Sequence, residues 1–207
     1  MAIPQLSPYE IPPLPTNQAA HWQLDPKRAA LLVHDMQEYF IAAYDRNANP
    51  MSTVLSNIQS IISFADSHGM PVFFSAQPPA QHWSRRGLLN DVWGTGIVTD
   101  AQAAIIPELE PAAAHHQVIT KWRYSAFERT DLEQALAFTQ RNQLIITGVY
   151  GHMGCQVTAV DAFMKDIQPF MVGDAIADFS ATEHAEAMSW VAKRSGMVIS
   201  TAEVLSA

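Results

Sequence analysis

From Ala29 the chain reads Ala-Ala-Leu-Leu-Val-His-Asp, apolar without a break until its polar end. A run that does not alternate predicts a strand buried on both faces, which helices must then cover on both sides. Units of the same kind follow. Over 53–67, Val54, Leu55, Ile58, Ile61, Ile62 and Ala65 recur at helical spacing, and Gly69 supplies a stop. Pro71 to Gln77 predicts a second strand, Val118 to Lys121 a third and Gln143 to Gly148 a fourth, with a helix over 131–141 between the last two. A helix over 155–166 leads to a fifth strand at Pro169 to Gly173, and a helix over 182–194 to a sixth at Met197 to Ser200.

Strands alternating with helices predict right-handed crossovers, hence an α/β fold with a doubly wound, mainly parallel six-stranded sheet and helices on both faces. Residues 1–25 stand apart, because Pro4, Pro8, Pro12, Pro13 and Pro15 remove backbone donors and favour extended chain. This arm is expected to wrap the surface or a neighbouring subunit, leaving 26–207 as one domain with no carrier domain in the chain. Ligands of such sheets bind beyond the carboxyl ends of the strands. The polar residues there are His34, Asp35, Gln77, Lys121 and the 148–155 loop.

Composition narrows the partners. The 207 residues are 48% hydrophobic and 15% charged, enough apolar material for a sizeable core. A formal charge of -8 leaves no excess of Lys and Arg to neutralise phosphates, so nucleic acid and anionic membrane surfaces are not expected partners. One cysteine excludes an internal disulfide. With no leader-like N-terminus and no apolar run of about eighteen residues, the cytoplasm is the simplest address. A charge-poor surface together with the arm suggests a homo-oligomer.

Several residues could carry chemistry. Asp35 at a strand mouth is either a turn or cap residue or a working carboxylate, and Lys121 is either a snorkelling side chain or the partner of an anion. The stretch Gly148-Val149-Tyr150-Gly151-His152-Met153-Gly154-Cys155 leads from a strand into a helix, a place where backbone N–H groups meet anions. It matches neither a dinucleotide fingerprint nor a P-loop. Cys155 is open to two readings, a thiolate favoured by the helix dipole or a small buried thiol. His82, His115, His116 and His184 fall in expected surface segments without ligand-like spacing to Asp or Cys, so no metal site is expected.

His34-Asp35-Met36-Gln37, Lys121-Trp122-Arg123-Tyr124-Ser125-Ala126-Phe127 and the 148–155 loop together resemble the isochorismatase family of the cysteine-hydrolase-like superfamily. Ser75-Ala76-Gln77-Pro78, Arg86-Gly87-Leu88-Leu89, Asp91-Val92-Trp93-Gly94 and Asp174 to Ser180 extend the resemblance over almost the whole chain. It implies hydrolysis of the vinyl ether of isochorismate to pyruvate and 2,3-dihydro-2,3-dihydroxybenzoate, as in aryl-siderophore biosynthesis, without cofactor or metal. The superfamily's metal-dependent amidases carry acidic and histidine ligands after the second strand, where this chain has Gln77.

On that resemblance Asp35 is the general acid that protonates the methylene carbon, with Lys121 its electrostatic partner. Arg86 and Lys121 meet the carboxylates of a small anionic substrate, Gln77, Tyr150 and the Gly154 N–H supply neutral donors, and Trp93 and Phe40 form an apolar wall. Cys155 takes the ancestral nucleophile position and is expected to be dispensable, since a vinyl ether offers no carbonyl to attack. Two alternatives stay open: a phenazine-pathway hydrolase of 2-amino-2-deoxyisochorismate, and a small-amide hydrolase that uses Cys155. The siderophore reading adds carrier-domain or synthetase partners.

Overall fold

The computed structural model describes residues 3–207. Strands β1 (Ala29–His34), β2 (Val72–Ala76), β3 (His116–Thr120), β4 (Gln143–Val149), β5 (Gln168–Ala177) and β6 (Met197–Ile199) form one sheet in the order β3-β2-β1-β4-β5-β6. Every pairing is parallel, as the alternation of elements predicts. The order reverses between β1 and β4, and at such a switch point the two flanking loops diverge and leave a crevice.

β1 is buried along its whole length. Its alternate side chains enter two cores: Leu31 and Val33 join Val54, Ile58 and Ile61 of one face, and Ala30 and Leu32 join Leu132, Leu136, Ala159 and Val191 of the other. The first face is covered by helices α2 (Met51–Ser67) and α9 (Thr201–Leu205), the second by α6 (Leu132–Phe138), α7 (Gln156–Met164) and α8 (Ala181–Arg194). Each buried Ile or Val in these contacts contributes about 1.5–3 kcal/mol. Short turns of helix, α1 (Glu38–Ile41), α3 (Trp83–Arg86), α4 (Leu89–Trp93) and α5 (Asp100–Ala103), fill loops where no element is predicted. The fourth strand runs on to Val149, and the helix expected over 131–141 is shorter, with Gln140 at positive φ after its end.

The proline-rich arm wraps this body. Leu6 is buried and its N–H donates to Ala43 O, Gln18 makes two hydrogen bonds with the Val198 backbone, and the Ala19 N–H donates to Ala192 O. Among the described residues no helix is long and apolar enough to cross a membrane.

Candidate active site

Asp35 follows directly on β1 with φ at +50°, a left-handed conformation that aspartate tolerates better than most residues. Ser75, at the end of β2, holds it from two sides. Asp35 N–H donates to Ser75 Oγ at 3.1 Å, and Ser75 Oγ donates to Asp35 Oδ1 at 2.7 Å. Oδ2 accepts from Lys121 Nζ at 2.8 Å and from Gln77 Nε2 at 3.3 Å. Lys121 comes immediately after β3, is 1% exposed, and its N–H donates to Ala76 O. Burial alone would push the Asp35 carboxyl up, but the Lys121 ammonium and the other donors outweigh it and hold the group below the usual carboxylate range. Gln77 is set by the buried Gln37, whose Oε1 accepts the Gln77 N–H at 2.8 Å while its Nε2 donates to Gln77 O at 2.9 Å.

Asp35, Lys121, Gln77, Arg86, Phe40, Trp93, Tyr150 and Gly154 all line one cavity, so the structure brings together every expected site residue except Cys155. Arg86 is buried, its Nε donates to Gly94 O, and Nη1 has no hydrogen-bond partner among the described residues. Burial lowers its proton affinity, yet a guanidinium stays charged. A buried cation with an unsatisfied donor is costly unless an anion completes it. Trp93 donates through Nε1 to Tyr124 Oη at 2.6 Å, and Phe40, Tyr150 and Phe179 pack edge to face around the remaining wall. Tyr150 differs from expectation in one respect: its hydroxyl donates to Phe40 O at 3.0 Å, so it presents a ring to the cavity rather than a free donor. Ile3 of the arm also lines the cavity.

The turn after β4 departs most from expectation. It contains a cis peptide between Val149 and Tyr150 and one π-helical turn, Gly151–Cys155. Gly154 faces the cavity, whereas Cys155 is fully buried in the core beside α7, with Sγ 3.9 Å from Thr147 O. Burial pushes its thiol well above the ordinary range, and nearby Asp178 and Asp35 push the same way. The thiolate expected from the helix dipole is therefore not favoured.

Two positioning residues emerge beyond those expected. His34 lies in the cavity wall, fully buried, with Nδ1 2.7 Å from Val149 O and Nε2 3.3 Å from Tyr124 O. Burial drives its pKa down to about 4, so the ring is neutral at physiological pH. The sequence signal was present, a polar side chain closing an apolar run. Asp178, also fully buried, accepts the N–H groups of His152 at 2.6 Å and Phe179 at 2.8 Å and so fixes Phe179 in the wall. No periodicity marks it.

Two histidine expectations are corrected. His184 is buried, bonded to Tyr9 Oη at 3.1 Å and Gly173 O at 2.9 Å. His115 and His116 converge on Asp66, each with Nε2 2.8 Å from Oδ1, at the start of β3 and away from the cavity. The Nδ1 of His116 accepts N–H groups from Ala112 and Ala113, so Nε2 carries the proton and donates to Asp66. A metal-ligating imidazole needs the reverse, an Nδ1–H facing an acceptor.

The sequence model of the isochorismatase domain family matches residues 29–203. Enterobactin synthase component B of Escherichia coli is 48% identical over all of this chain and 73% of its own length. Phenazine biosynthesis protein PhzD of Pseudomonas fluorescens is 44% identical over 98% of each chain. A cysteine hydrolase from Pseudomonas syringae superposes with a TM-score of 0.82 over 94% of this chain and 96% of its own, at 23% identity.

Proposed function

The chain belongs to the isochorismatase family, and on that premise we propose that it hydrolyses the vinyl ether of isochorismate in aryl-siderophore biosynthesis. The observation that carries the reading is the cavity's inventory. It offers a carboxylate with three side-chain donors, a buried guanidinium with an unmet donor and an aromatic wall, and no nucleophilic side chain of the β4–α7 turn faces it. Such a site suits acid catalysis on an anionic, ring-shaped substrate.

The reaction opens with transfer of the Asp35 proton to the methylene carbon of the enolpyruvyl group, giving an oxocarbenium ion at the ether carbon. Water adds to that carbon and returns a proton to the Asp35 carboxylate. The hemiketal hydroxyl then gives up its proton as the bond between the ketal carbon and the ether oxygen breaks. The oxygen stays on the ring and takes up a proton, and pyruvate and 2,3-dihydro-2,3-dihydroxybenzoate leave. Beside the Lys121 ammonium Asp35 is ionised, so the proton must enter with the substrate. A dianion beside Asp35 opposes its ionisation and competes for Lys121, both of which raise the carboxyl's proton affinity. Arg86 meets one substrate carboxylate and Lys121 the other.

The phenazine branch is the second reading, favoured by the 44% identity to PhzD over 98% of both chains. Its substrate, 2-amino-2-deoxyisochorismate, carries the same vinyl ether, and the same Asp35 chemistry applies. A thiol-dependent amidase finds no support, because the Cys155 thiol is buried outside the cavity. The siderophore placement carries with it a cytoplasmic enzyme and carrier-domain or synthetase partners. The test is pyruvate release from isochorismate and its 2-amino analogue side by side. Faster turnover of isochorismate is expected, faster turnover of the analogue moves the chain to the phenazine branch, and no pyruvate from either removes the vinyl ether reading.

A further inference from the structure

Gly154 has no side chain, and the structure shows what stands in its place. A Cβ at this position would lie 2.0 Å from His34 Cε1, 2.7 Å from Nε2 and 2.8 Å from Nδ1, all far inside van der Waals contact. The ring lies between the carbonyls of Val149, the last residue of β4, and Tyr124, in the loop after β3, and as a neutral imidazole it donates to one of them. Its backbone is held as well. Gly148, at φ +101°, closes on the end of β1 so tightly that a Cβ there would lie 2.2 Å from His34 O. The free volume next to the ring is the cavity itself, beside Asp35.

We propose that His34 and Gly154 are a mutually exclusive pair that sets the reaction class of this site. The imidazole occupies the volume a side chain at 154 would need, so the β4–α7 turn delivers no nucleophile to the cavity and proton transfer from Asp35 is the chemistry that remains. His34 Nδ1 stands 3.9 Å from Asp35 Oδ2. A side chain in place of the ring would therefore approach the carboxylate as a nucleophile approaches its base. Cys155 does not fill that role, being one residue further along and turned into the core. His34 is thus a specificity-determining residue, and it carries no proton in the reaction. The catalytic meaning of the pair rests on the vinyl ether reading, whereas the exclusion itself is measurable without isochorismate.

The first measurement is thermal unfolding of Gly154→Ala, His34→Ala and the double variant. The double variant is expected to melt no lower than Gly154→Ala, so that the two losses do not add. Additive losses overturn the proposal. Should Gly154→Ala fail to fold, a folded double variant supports the pair, and a double variant that fails while His34→Ala folds overturns it.

The second measurement is alkylation by iodoacetamide of Gly154→Cys in a Cys155→Ala background, with and without His34→Ala. Removing the ring is expected to speed alkylation at least about tenfold, because only then does the thiol open onto the cavity. Equal rates at an unchanged melting temperature overturn the proposal. Lack of pyruvate release by the unaltered protein would sink the vinyl ether reading and leave both of these results intact.

Discussion

Replacing Lys121 with Met should destabilise the protein in a way that depends on pH with a sign opposite to that of the parent. The ammonium lies 2.8 Å from Asp35 Oδ2, with both side chains almost wholly buried. At an effective dielectric constant of about 20, Coulomb attraction over that distance is about 6 kcal/mol, and removing one partner of a buried pair typically costs about 3–5 kcal/mol. In the parent, Asp35 has a folded-state pKa below its unfolded value, so its stabilising contribution is present above the unfolded value and lost as pH falls through the folded one. In Lys121→Met, burial is no longer outweighed and the folded carboxyl rises above its unfolded value. The folded variant then binds the extra proton, and its stability declines as pH rises, by about 1.4 kcal/mol per unit over the interval in which the raised carboxyl is still protonated.

Urea unfolding of parent and variant followed by tryptophan fluorescence at pH 5.5, 6.5, 7.5 and 8.5 measures this. The difference between the two proteins is the quantity to read. His34, whose folded pKa of about 4 makes both proteins weaker on acidification, contributes to each and largely cancels. The loss should be near 3–5 kcal/mol at pH 8.5 and shrink toward pH 5.5. Adding Asp35→Asn should recover most of it, since no buried charge is then left unpaired. A loss constant across the range, or below about 1 kcal/mol throughout, would refute an Asp35 ionised by Lys121.

Asp35→Asn should lower kcat by about 10²–10⁴, whereas Cys155→Ala should stay within about twofold of the parent and iodoacetamide should leave the parent active. The opposite order of damage in pyruvate assays would return the amidase reading. For the parent, log(kcat/KM) should fall with a slope near −1 above neutral pH, about tenfold per unit, because free Asp35 is ionised and each productive encounter takes up one proton. A flat profile would mean that the proton arises within the Asp35–Lys121 pair. Arg86→Lys should raise KM more than it lowers kcat, since it keeps the charge and loses the planar fork, and unchanged KM would take Arg86 out of substrate binding.

The legible parts of this fold are those where one local pattern has one explanation. β1 could be read because an unbroken apolar run of this length is a doubly covered strand, and Asp35 because that run ends in a polar side chain at the sheet's binding edge. Lys121 was legible for the same reason at β3. The α3–α5 segment was not, because helices of four or five residues are too short to show a period, so Arg86 and Trp93 entered through resemblance rather than pattern. The Gly154 and Cys155 assignments turned on orientation. Neighbouring residues of a helical turn point about 100° apart, and spacing alone does not say which of them faces the sheet's edge. The meeting of Asp66 with His115 and His116 spans 49 and 50 positions and exists only because the fold brings the last turn of α2 to the start of β3.

The arm described with the fold has a temporal consequence. Tyr9 bonds the Asp178 N–H and Gln18 the Val198 backbone, partners 169 and 180 positions later in the chain, and Ile3 shares the cavity with Phe179. The arm therefore leaves the ribosome well before the residues that seat it. β1 must likewise wait for β4, since Ala29 pairs with Gln143. Contacts so distant along the chain slow folding, and a nascent chain halted before Phe179 lacks part of the chamber's wall. The chamber thus waits for the turn between β5 and α8, and a nascent chain that has not reached it has no closed site to offer a substrate.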